Sequence, residues 1–212
     1  MEAWDIPVLG ALASLSGIRC VCGWKLWKGE TLSLSRLWAE PWLYGCSLIW
    51  LLFYGGILAL ADGASMTIRL TDLLLTYGIL AVVDLRWKIV PDSILLSYFA
   101  GQLILGARFM TPEGLLYQIV TGGIFLLLAL FLAWFSKGRM GMGDARLLGV
   151  TAMTAGWRFV FQTLIAAVFL SFLYSLWQIV IHKKSMQTEF PFVPFLAAAM
   201  VIESIGLLQY SR

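Results

Sequence analysis

LLYQIVTGGIFLLLALFLAWFSKGRMGMGDARLL, residues 115–148, joins an uncharged apolar run to a basic turn, then to Gly141-Met-Gly143-Asp144 and a second apolar stretch. A helix crosses a bilayer with roughly 20 apolar residues, and the run at 115–136 reaches that length. Hydrocarbon offers the backbone no partners, so such a run must be helical. The rest of the chain has the same character: 60% of its 212 residues are hydrophobic and 13% charged. Its mean hydropathy is +0.86. A soluble domain carries about a quarter charged residues. The expected fold is an all-α polytopic transmembrane bundle of about eight spans, six to eight in all.

The eight apolar runs are 6–22, 42–61, 67–84, 92–110, 115–136, 144–156, 158–181 and 191–209. The sixth is too short to span alone and reads as a half-helix, with Gly156 as a break before Trp157. The third carries Arg69 and Asp72 near its start. The longest polar connection, 23–41, is basic and Trp-rich and should rest on an anionic inner leaflet. Cytoplasmic loops gather Lys and Arg. With the N-terminus outside, Arg69, Arg108, Arg158 and Arg212 fall outside, and the other eleven of the 15 Lys and Arg, Arg19 included, fall inside. The opposite orientation inverts the bias.

Asp84 closes the third run, in VVDLRWKIVPD (residues 82–92), and Asp144 opens the sixth. Taken singly, each reads as a capping residue at a turn. Two spans lie between them, so both emerge on the cytoplasmic side at similar depth. Carboxylates near a bilayer are costly and mark function. A pair that meets can share one proton, the ionised member acting as base and the other as acid. Gly141 and Gly143 should admit unusual backbone conformations and close approach of a bound peptide. Pro91-Asp92 reads as a helix start with Asp92 as its N-cap.

Other chemistries fit less well. The one histidine, His182, excludes sites needing two. It reads, with Lys183 and Lys184, as a positive-inside anchor. Cys20 and Cys22 are half a metal site at most and read as ordinary thiols, so no metal is expected. The start, MEAWD, is acidic where a secretory signal is basic, so no cleaved signal is expected. Glu203, inside the last run, reads as facing either the bundle interior or the outer interface.

At these residues the chain resembles the type IV prepilin peptidases. That family is marked by an aspartate ending one span, a basic loop with Pro-Asp or Pro-Asn, and GxGD two spans later. Here these are Asp84, Pro91-Asp92 and Gly141-Met-Gly143-Asp144. Ala155-Gly156-Trp157 and Pro191-Phe-Val-Pro194-Phe-Leu resemble two further family segments, so the likeness covers about 42–209. It implies one integral membrane peptidase domain over 1–212, in the cytoplasmic (inner) membrane. Asp84 and Asp144 would be catalytic, supported by Gly141, Gly143, Pro91 and Asp92, with the site facing the cytoplasm. The implied partners are the bilayer and type IV pilin-like or pseudopilin precursors, with no nucleic acid. The implied reaction removes the short basic leader after a Gly and needs no cofactor.

Full-length members also N-methylate the new N-terminus with S-adenosylmethionine. Here the family's cysteine-rich loop is reduced to Cys20-Val-Cys22-Gly23, with Ser35-Arg36 … Glu40 resembling its tail, which argues against that second activity. Val193 replaces the family's Gly and Arg146 its Lys; neither change is expected to touch the dyad. Two other readings are another GxGD intramembrane protease and a small proton- or cation-coupled transporter or assembly subunit. The first lacks its Tyr-Asp and Pro-Ala-Leu motifs, and the second should hold its acids at mid-depth.

Overall fold

Proline and glycine place the breaks between the apolar runs. Pro91 is extended (φ −71°, ψ 127°) and caps one helix start. At the next start, Thr111 Oγ1 accepts from Gly114 N at 3.2 Å and Pro112 takes the first helical turn, where its missing N–H costs nothing. Gly156 has φ +92° and ψ 145°, left-handed territory that ends one helix immediately before another begins at Trp157.

The computed structural model describes residues 5–29, 41–60, 64–136, 141–182 and 191–210. Every regular element among them is an α-helix. In order these are α1 (Asp5–Lys28), α2 (Pro41–Leu60), α3 (Ala64–Trp87), α4 (Asp92–Phe109), α5 (Pro112–Phe135), α6 (Met142–Ala155), α7 (Trp157–His182) and α8 (Val193–Tyr210). Each corresponds to one apolar run. Three, within α1, α5 and α7, are long and apolar enough on their own to cross a membrane, and α2 and α8 contain shorter apolar cores. Helices α5 and α7 turn Leu127, Phe131, Ile165 and Phe172 outward, as lipid-facing surfaces do.

Two expectations change here. The connection expected from residue 23 begins later, because α1 continues through Trp24 and Trp27 to Lys28. Lys25 and Lys28 in its last turn complement the helix dipole, and Gly29 at φ +81° ends it. The rest of that connection, with Ser35, Arg36 and Glu40, lies outside the described residues, as do Lys137, Arg139, Lys183 and Lys184. The second change concerns Arg19, counted above among the cytoplasmic charges. It is fully buried inside the bundle.

Arg19 pairs through Nη2 with Asp72 Oδ1, and neither side chain is exposed. Asp72 also accepts from Ser16 Oγ (3.3 Å), Tyr54 Oη (3.2 Å) and Gln102 Nε2 (3.0 Å). Arg19 donates in addition to Thr76 Oγ1 and to the Leu15 carbonyl. A buried ion pair persists only when such extra partners fill its remaining sites. This cluster joins α1, α2, α3 and α4.

Helix α6 packs chiefly on α5, and also on α4 and α7. Glycine sets the approach to α5: a Cβ on Gly122 would stand 2.3 Å from Met153 N, and one on Gly149 2.3 Å from Leu126 Cδ1. Gly122→Ala should therefore cost about 1–3 kcal/mol of overpacking in thermal unfolding in detergent. Gly45→Ala is the control. Nothing lies within 4 Å of its new methyl, and helix propensity favours Ala by up to ~1 kcal/mol. Equal stability of the two variants would contradict the close α5–α6 contact.

Candidate active site

Asp84 sits in the last turn of α3 and is 5% exposed. Its Oδ2 accepts from the backbone N–H of Val193 at 3.1 Å. Val193 is the first residue of α8, so the carboxylate caps that helix from another part of the chain. Free N–H groups and the dipole at a helix start favour an anion there. The charge of Lys88 also lies within electrostatic reach. Val193, expected to leave the dyad alone, thus touches it through its main chain. A backbone donor leaves no mark in a sequence, and only the neighbouring Pro-Phe-Val-Pro pattern pointed to this segment.

Asp144 lies in the first turn of α6, half-buried, and the negative charge of Asp84 acts on it. The helix begins at Met142 with Gly141 as N-cap, so Asp144 is inside the first turn and does not start it. Gly141 has φ −63°, and neither GxGD glycine adopts positive φ. Their contribution is space. A Cβ on Gly141 would stand 3.0 Å from Asp144 Oδ2, and one on Gly143 3.0 Å from Val90 Cβ.

The chain reaches Val90 by turning sharply after α3. Lys88 takes φ +52°, and its N–H donates to the Asp84 carbonyl at 2.9 Å. Asp92 does not cap α4; Pro91 does, because its fixed φ already sets the extended entry. Asp92 occupies the first helical position, and both its oxygens receive Arg146 Nη1, at 2.8 and 3.0 Å. The Pro-Asp and GxGD motifs are thereby joined on the surface, since both side chains are exposed. A pair this exposed contributes under about 1 kcal/mol. Asp92→Asn should therefore leave the unfolding temperature nearly unchanged. A large drop would show that the bridge holds α4 and α6 together.

Buried hydrogen bonds hold the two aspartate-bearing helices in place. Tyr77 Oη on α3 meets Thr151 Oγ1 on α6 at 2.7 Å, and Tyr98 Oη on α4 meets Thr154 Oγ1 at 2.9 Å. Arg86 lies over the Trp27 ring at 4.7 Å, tying the end of α1 to the end of α3. Cys20 accepts from Trp50 Nε1 at 3.4 Å, a packing contact between α1 and α2. Among the described residues no three His, Cys, Asp or Glu side chains converge as a metal site would require.

A model of the type IV leader peptidase family matches residues 73–176, a stretch that holds Asp84, Asp92, Gly141, Gly143 and Asp144. Over that stretch, just under half of the chain, the sequence is similar to the type IV leader peptidase family. Curated relatives agree. A prepilin leader peptidase/N-methyltransferase of Pseudomonas putida is 29% identical over 209 residues, 94% of this chain and 66% of its own. Proteins of the same name from Stutzerimonas stutzeri (29%, over 60% of this chain and 46% of theirs) and Bacillus subtilis strain 168 (25%, over 58% and 50%) also match. The chain thus spans between about half and two thirds of these relatives' lengths. No solved structure matches it. The Val193 contact to Asp84 falls beyond the matched stretch.

Proposed function

We propose that the chain is an aspartic endopeptidase of the cytoplasmic membrane that removes the short basic leader from type IV prepilin-like precursors. The observation that carries this reading is that buried Asp84 and half-buried Asp144, 60 residues apart in sequence, lie near enough for the charge of one to act on the other. Two like charges so placed favour a single shared proton. Asp84, held by the Val193 N–H, is the ionised member and takes a proton from the attacking water. Asp144 carries the shared proton and hydrogen-bonds the scissile carbonyl. As the C–N bond breaks, the departing amine receives a proton and the carboxylates return to one between them. In this reading six to eight helices span, the N-terminus lies outside, and the site opens to the cytoplasm.

The relatives' name includes an N-methyltransferase. A nucleoside cofactor needs a carboxylate free for its ribose hydroxyls. At this end of the bundle the described carboxylates are committed: Asp84 to Val193, Asp92 to Arg146, and Asp144 to the dyad. Among the described residues no carboxylate there stands apart from these contacts to hold S-adenosylmethionine, and the proposed peptidase reaction does not need it.

Co-expression with a pilin-like precursor tests the peptidase reading. Leader removal gives a faster-migrating band. A precursor of unchanged mobility beside correctly inserted enzyme counts against the proposal. The mature N-terminus should lack the ~14 Da that one N-methylation adds.

A further inference from the structure

A cavity lies at the far end of the bundle from the dyad. It measures about 690 Å³ and is lined by Arg69, Gln118, Tyr117, Trp157, Arg158 and Gly156, among others. Arg69 and Asp84 are both on α3, 15 residues apart, which is ~22 Å along the helix. The cavity is therefore separate from the catalytic proposal and does not depend on it.

Its chemistry is specific. Arg69 is half-buried and donates to neutral acceptors only: Gln102 Oε1 (3.4 Å), Met110 Sδ (3.0 Å) and the Thr154 carbonyl. Arg158, one residue past the α6–α7 break, stacks on Trp157 at 5.6 Å. Neither guanidinium meets a carboxylate among the described residues. The Thr154 carbonyl near the end of α6 explains part of Arg69, since a helix C-terminus attracts a cation. It leaves Arg158 unexplained. It also leaves Gln118, whose Nε2 donates to Thr154 O at 2.7 Å while its Oε1 is buried with no partner. A buried acceptor without a donor costs stability and is rare unless something binds there. Most of the remaining wall is apolar, with Leu70, Leu73 and Phe159. Tyr117 and Trp157 are the residue types that settle at a membrane–water interface.

We propose that this cavity binds a phosphate ester carrying free hydroxyls, supplied by the glycerol headgroup of an anionic phospholipid. The phosphate lies between Arg69 and Arg158, a hydroxyl donates to Gln118 Oε1, and an acyl chain follows the apolar wall. Guanidinium pairs suit phosphate because they present several planar donors at once. The volume falls within the range of small-molecule sites.

Native mass spectrometry on the full chain in detergent tests this. The probes are phosphatidylglycerol, phosphatidylcholine and sn-glycerol 3-phosphate. Phosphatidylglycerol should half-saturate at a concentration at least about tenfold below phosphatidylcholine. Arg158→Gln should remove most of that preference, and Arg158→Lys should restore part of it. Arg158 is exposed and stacks on Trp157, so these variants should fold; Arg69→Gln, which uncaps α6, is the less secure companion. Equal retention of the two lipids, or an unchanged preference in Arg158→Gln, overturns the site. Binding of glycerol 3-phosphate as tight as that of phosphatidylglycerol overturns the lipid as its source.

Discussion

Asp84→Asn and Asp144→Asn each leave a co-expressed prepilin uncleaved, with the initial rate down on the order of 10³-fold or more, as loss of a general base or acid implies. Both substitutions preserve shape. Asparagine at 84 still offers an oxygen to Val193 N–H, and at 144 it still fits beside Gly141. What disappears is the base in one case and the transferable proton in the other. Membrane insertion and unfolding temperature should therefore stay near those of the parent, which separates a chemical defect from a folding one. The proposed mechanism needs one proton on the pair, so the parent's kcat/KM should rise and then fall with pH. Neither variant regains activity at any pH. Near-parental cleavage by either variant removes that residue from the mechanism.

The largest stability effect is expected at the opposite kind of site, one that touches no substrate. Arg19→Met or Asp72→Leu alone should cost roughly 3–5 kcal/mol, because each strands the partner's charge inside the bundle. The double variant Arg19→Met/Asp72→Leu should cost less than either single change, because no charge remains buried. Thermal or denaturant unfolding in detergent gives all three values, and the cycle isolates the coupling. Singles that cost under about 1 kcal/mol and simply add would mean that the pair is solvated or absent.

What could be read from the chain alone divides along physical lines. Helix positions were legible because membrane hydropathy is local: each apolar run became one helix, and Gly156 broke where expected. The two aspartates were legible because carboxylates are rare among so many apolar residues. Pairings across the bundle were not. Arg19 counted as a loop charge because nothing near it in sequence reveals Asp72, 53 residues away. Asp92 looked like a cap because a local pattern cannot show Arg146 reaching it from another helix. The Val193 amide, 109 residues from Asp84, carries no side-chain signature at all. The GxGD glycines were read for torsional freedom and for close approach; neither adopts positive φ, and a side chain on either would crowd Asp144 or Val90.

The length of one helix bears on both ends of the bundle. Helix α6 has 14 residues and is ~21 Å long, about 9 Å short of the hydrocarbon layer. Half of its residues are buried by neighbouring helices and only two are exposed, so the shortfall is not made up by lipid. It behaves as a plug shorter than its socket. On one side the unfilled length leaves Asp144 half-buried, where the proposed reaction needs water and a peptide to reach it. On the other it opens the recess beneath Gly156. Lengthening this one helix by two turns would close both.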